Sequence, residues 1–121
     1  MNKKTILVVE DHEDMQKIYK DMLKDQYRVY IVGDTKQARD AFKKHKIDLM
    51  ILDLILPEEM GDTFFVKLKS GDKHKKLKTI VISVLGDVTS QLRKIDPDIV
   101  CVPKPFEKEH LLKTIQDRLA V

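Results

Sequence analysis

The chain has 121 residues, 42% of them apolar and 36% charged, which suits one domain with a buried core and excludes a disordered chain. A lone cysteine, Cys101, excludes an internal disulfide framework and a multi-cysteine zinc site. Net charge is +3, from 23 basic and 20 acidic side chains, too weak an excess to define a nucleic-acid surface.

Five short strands are expected along the chain. Residues 6–9, 49–52, 80–82 and 99–102 are nearly unbroken runs of Ile, Leu, Val and Met, as in strands buried on both faces of a parallel sheet. Arg28–Val32 is more mixed and reads as an edge strand. Helical spacing fills the gaps. Met15, Ile18, Tyr19, Met22 and Leu23 form one apolar face, and Ala38, Ala41 and Phe42 another, which begins at Asp34 with Gln37 at capping-box distance. Phe64, Phe65 and Leu68 mark a third helix that ends at Ser70-Gly71-Asp72. Val88, Leu92 and Ile95 mark a fourth, stopped before Pro97, and Leu111, Leu112, Ile115 and Leu119 mark the last.

Five β-α repeats predict an α/β fold with a parallel sheet, helices on both faces and right-handed crossovers. Ligands of such sheets sit beyond the carboxyl ends of the strands. Glu10 and Asp11 follow the first strand, Asp53 ends the third, Ser83 ends the fourth, and Lys104 follows the fifth between Pro103 and Pro105. Three carboxylates at one edge repel unless they share a cation. An all-oxygen donor set suits Mg²⁺ or Mn²⁺, and a lysine and a hydroxyl beside it suit a phosphoryl group. The basic run Lys73-His74-Lys75-Lys76 with Lys78 has no interleaved aromatics and reads as solvated; His12, His45, His74 and His110 share no ligand spacing. No apolar stretch is long enough for a membrane span or a signal-peptide core, so a cytoplasmic protein with no membrane partner is expected.

Taken in order, Ile6-Leu7-Val8-Val9-Glu10-Asp11, Leu49-Met50-Ile51-Leu52-Asp53-Leu54, Pro57 with Gly61, Ile82-Ser83 and Lys104-Pro105-Phe106 resemble the receiver domain of two-component response regulators over essentially the whole length. The resemblance implies a flavodoxin-like doubly wound (βα)5 fold with strand order 2-1-3-4-5. It implies one receiver domain over residues 1–121, with no output domain, and a switch rather than an enzyme. Asp53 corresponds to the phosphoacceptor. Glu10, Asp11, Asp53 and the backbone carbonyl of Ile55 correspond to the metal ligands. Ser83 and Lys104 correspond to the groups that pair with the phosphoryl, and Pro57 and Gly61 to the turn after the third strand. The implied phosphodonor is a histidine kinase or phosphotransfer protein, the implied cofactor Mg²⁺ or Mn²⁺, and the output an unidentified protein, with no direct nucleic-acid binding. Three positions depart from the pattern. Glu10 stands where Asp is commoner, Val84 is expected to crowd the phosphoryl group, and Cys101 replaces the aromatic ring that with Ser83 forms the switch. The alternative reading is a receiver-like interaction module that no longer depends on phosphorylation. An aspartate-nucleophile phosphohydrolase would need an acid at position 55, which is Ile55, and a flavin carrier would not put Glu10-Asp11-His12-Glu13-Asp14 against a phosphate.

Overall fold

The computed structural model describes residues 3–84 and 89–120. Strands β1 (Thr5–Val9), β2 (Arg28–Val32), β3 (Leu49–Asp53), β4 (Lys78–Ser83) and β5 (Val100–Pro103) alternate with helices α1 (Glu13–Leu23), α2 (Thr35–Lys44), α3 (Gly61–Ser70), α4 (Thr89–Leu92) and α5 (Lys108–Leu119). All strand pairs are parallel, in the order β2-β1-β3-β4-β5. This is the expected flavodoxin-like topology, with the mixed β2 segment at an edge, where one side needs less burial.

The two-residue alternation of each strand sorts its side chains onto two faces. Leu7, Val9, Met50, Leu52 and Val81 pack with Ala38, Ala41 and Phe42 of α2, Phe64 and Phe65 of α3, and Leu92. Ile6, Val8, Leu49, Ile51, Ile80 and Ile82 pack with Tyr19, Met22 and Leu23 of α1 and with Leu111 and Ile115 of α5. The unbroken apolar runs are thus explained: the side chains on both faces of these strands pack against helices. Asp34 caps α2 by accepting from the Gln37 backbone N–H at 2.8 Å, and the Gln37 side chain returns a bond to the Gly33 N–H.

Some expectations need correction. The fourth helix does not run to Ile95. It is the single turn Thr89–Leu92, and Ile95, 40% exposed, lies in the turns that follow; Val88 lies outside the described residues. A short 3-10 turn, Asp72–His74, follows α3 just after its expected stop at Ser70-Gly71-Asp72. Ile18 sits on the apolar stripe of α1 but is 50% exposed, while Tyr19, Met22 and Leu23 of the same stripe are buried. Among the described residues no helix is long and apolar enough to cross a membrane.

Candidate functional site

The parallel register puts the ends of β1, β3, β4 and β5 side by side. Val9 is level with Leu52, Asp53 with Ile82, and Ser83 with Pro103. The first polar residue after each core run therefore emerges at the same edge. Glu10, Asp53 and Ser83 are all buried there, at 1%, 6% and 1% exposure. The Lys104 N–H donates to the Ser83 carbonyl at 3.0 Å, which ties the β5–α5 loop to the end of β4. The Lys104-Pro105 peptide is cis.

Lys104 is the hub. Its Nζ donates to Asp53 Oδ2 at 2.7 Å and to Glu10 Oε1 at 3.1 Å. Burial alone would lower the Lys104 pKa, but the hydrogen bonds and charges of Asp53 and Glu10 outweigh it and hold the ammonium above its ordinary value. The other oxygens are also occupied. Asp53 Oδ1 accepts from the Ile55 N–H at 3.1 Å, and Glu10 Oε2 accepts from the His12 N–H at 3.1 Å. The Gln16 amide donates to the Glu10 carbonyl. Beneath the site the Tyr19 hydroxyl is held well above its usual pKa, first by burial and then by the negative charge of Glu10 and Asp53.

Asp11 lies on the open side of the site, its side chain 32% exposed, and neither it nor Glu10 caps α1, whose N-cap residue is His12. Glu10, Asp11 and His12 bring ligand atoms within 4.8 Å of one another, and His12 Nδ1 stands 3.3 Å from both carboxylates. Sequence spacing of histidines could not reveal this contact, because His12 meets carboxylates and not other histidines. The donor chemistry fits a hard cation. Glu10, Asp11 and Asp53 offer carboxylate oxygens, and a single ammonium does not balance three negative charges.

The loop after β3 is fixed by two features. A Cβ at Gly61 would lie 2.2 Å from the Asp53 carbonyl oxygen, so only glycine admits the approach, and the Gly61 N–H bonds the Leu54 carbonyl at 2.8 Å. Glu58 takes a left-handed conformation, φ 65°. Glu59 then receives Arg39 through both guanidinium nitrogens, at 2.8 and 3.2 Å, and Lys67 at 2.9 Å. Hydrogen bonds from Arg39, Thr35 and Lys67 hold the Glu59 pKa down at about 2. This clamp was not foreseen; its members lie on three separate segments.

Val84 stands 63% exposed on the rim of the site, lining an apolar groove with Met15, Ile18, Pro105 and Phe106. Cys101 is half-buried on β5, level with Val81, and packs against the core cluster that holds Val81 and Leu92.

The family model for the response regulator receiver domain matches residues 6–116. The chemotaxis protein CheY of Bacillus subtilis is 28% identical over 117 residues, which cover 94% of this chain and 96% of that protein. Response regulator RR06 of Streptococcus pneumoniae is 33% identical over 115 residues, 92% of this chain but 51% of the relative. Against the sensor histidine kinase TmoS of Ectopseudomonas mendocina identity is 26%, and the chain spans only 12% of the relative's length. Among solved structures, a CheY-like receiver protein of Methanospirillum hungatei superposes with a TM-score of 0.87 at 20% identity, covering 98% of this chain and 95% of that one. The receiver domain of sensor histidine kinase PA1611 of Pseudomonas aeruginosa, solved with a magnesium ion in its active-site cleft, gives 0.84 at 22% identity, covering 98% and 99%.

Proposed function

The chain belongs to the response regulator receiver family, and on that premise we propose that it is a phosphoryl-accepting switch with Asp53 as the acceptor. As a receiver domain it is not a conventional enzyme. The observation that carries the reading is the Lys104 ammonium bridging two buried carboxylates, Asp53 and Glu10, that the sheet delivers from different strands.

The donor is phosphohistidine on a histidine kinase or phosphotransfer protein. An Asp53 carboxylate oxygen forms the new bond to phosphorus as the bond from phosphorus to the imidazole nitrogen breaks, and the imidazole leaves with that electron pair. Glu10, Asp11 and Asp53, with the Ile55 carbonyl, are the residues that would hold Mg²⁺ or Mn²⁺. When bound, the cation supplies neutralisation of the charge on the phosphoryl oxygens. Lys104, already on Asp53, pairs with a phosphoryl oxygen, and the Ser83 hydroxyl donates to another, each by a charge-assisted bond. The shift of Ser83 and Lys104 is the switch. Cys101 carries no ring to report it, so coupling to a downstream protein falls at the low end of the ~1–3 kcal/mol typical of allosteric sites.

The test is mass spectrometry after incubation with acetyl phosphate and Mg²⁺. One phosphoryl group should appear on the wild type and none on Asp53→Asn. Labelling that survives the substitution removes Asp53 from the role; a wild type that stays unlabelled favours the phosphorylation-independent interaction module.

A further inference from the structure

The +3 net charge conceals a strong polarity. The carboxyl pole of the sheet carries Glu10, Asp11, Glu13, Asp14 and Asp53, while the opposite, amino pole is basic. There the basic run Lys73-His74-Lys75-Lys76 meets two other basic segments. Lys4 leads into β1, Lys46 precedes β3, and Lys73 and Lys76 lie in the α3–β4 connection; all four line one groove of about 540 Å³. A second groove continues from Lys4, His45 and Lys46 to Arg28. Among the described residues Asp48 is the only carboxylate lining either groove, and its Oδ2 is taken by the Thr5 N–H at 2.8 Å. Among the described residues, none of Lys4, Lys46, Lys73 and Lys76 has a carboxylate partner within salt-bridge distance. Ion pairs at this pole belong to other lysines, such as Lys75 with Asp72 at 3.7 Å.

The groove is not charge alone. His45 stacks on Tyr30 with ring centroids 3.9 Å apart, and His74 packs on Phe42 at 4.6 Å, so both imidazoles are anchored. Ile47 and Leu77, both half-buried, complete an apolar side. Burial, then the charges of Lys73 and Lys69, lower the His74 pKa, as a local positive field requires.

We propose that this amino-pole groove binds a nucleoside di- or triphosphate, with the phosphates among Lys4, Lys46, Lys73 and Lys76 and the base toward Ile47, Leu77 and the His74 ring. Its volume lies within the ~300–1,000 Å³ of small-ligand pockets. Ammonium groups are compact point charges, suited to the dense charge of a polyphosphate, whereas carboxylates of an acidic peptide are best matched by guanidinium forks, and among the described residues no arginine lines this groove, Arg28 lying in the second one. The groove is remote from Asp53, so occupancy and phosphorylation are separable.

Calorimetry and amide-shift mapping with ATP in EDTA, which keeps metal-bound nucleotide away from the acidic pole, test the proposal. ATP should bind at submillimolar concentration, more weakly at high salt, with shifts concentrated at Lys4, His45, Ile47, His74 and Leu77. The double variant Lys46→Glu with Lys76→Glu should weaken binding about tenfold or more while labelling of Asp53 by acetyl phosphate is unchanged. Lys20→Glu, on α1 away from the groove, should bind ATP like the wild type. No ATP binding, shifts centred on the Asp53 pole, or equal affinity in the double variant overturns the proposal. Inorganic triphosphate binding as tightly as ATP removes the nucleoside from it, and a single-stranded dodecanucleotide binding more tightly than ATP replaces the nucleotide with a nucleic-acid strand.

Discussion

Replacing Lys104 by Met keeps most of the side chain's length and removes its charge, leaving Glu10 and Asp53 facing each other in a buried site. Their oxygens lie 3.1 and 2.7 Å from the ammonium, hence no more than about 6 Å apart. At that distance, with an effective dielectric constant of about 20, two negative charges repel by roughly 2–3 kcal/mol. The Lys104 side chain is 18% exposed, so solvent trims this, and we expect Lys104→Met to cost about 2 kcal/mol in EDTA at pH 7 by urea unfolding. In an Asp53→Asn background the repulsion is absent, and the same change should cost at least about 1 kcal/mol less. Saturating Mg²⁺ should recover more stability in Lys104→Met than in the wild type. Because the folded pKa of Lys104 is raised, its contribution is fully present below the ordinary lysine value of 10.5 and is lost only as pH rises through the folded value. The gap between wild type and variant should therefore be flat from pH 7 to 9 and close only in strong alkali. A cost that is the same with and without the Asp53 carboxylate would refute the bridging role.

Three further outcomes are expected. Mg²⁺ should raise the wild-type melting temperature, by linkage worth about 1–2 kcal/mol near ten times Kd, and Asp11→Ala should abolish the rise in a thermal melt. Gly61→Ala forces a Cβ against the Asp53 carbonyl oxygen at 2.2 Å, so it should destabilise by about 2–4 kcal/mol in urea and slow labelling of Asp53 by acetyl phosphate. Glu59, with its pKa lowered from 4.5 to about 2, contributes stability that is present above pH 4.5 and lost as pH falls toward 2; Glu59→Gln should cost about 1 kcal/mol at pH 7 and nothing near pH 2, read from acid-unfolding curves.

Strands β1, β3 and β4 were legible because their apolar runs are buried on both faces and so have no polar interruption until they near the end of the sheet. That same rule exposed Glu10, Asp53 and Ser83, the first polar residues after those runs. Helix α4 was misjudged because Leu92 and Ile95 have helical spacing, yet only Leu92 is buried, and periodicity counts side chains without seeing what covers them. Lys69 was invisible for the complementary reason. On sequence it is one more lysine of a basic α3 end, but its side chain is 2% exposed, donates to the carbonyls of Lys75 and Leu77, and pairs with Asp96 at 3.3 Å. Burial pulls its pKa down, and only groups brought in from the connections on either side of β4 and α4 make the charge tolerable.

The two ends of the sheet express one physical contrast. At the carboxyl end, the core strands stop on acidic residues whose repulsion Lys104 partly offsets, so that end remains short of positive charge and invites a cation and a charge-transferring group. At the amino end, chain segments enter the sheet through Lys4, Lys46 and Lys76, and the lining carboxylate Asp48 is spent on the backbone of Thr5. Each pole lacks the charge that its ligand would bring. Composition averages this to +3, which is why the acidic edge could be recognised from its motifs while the basic groove needed the fold to bring three separate segments together.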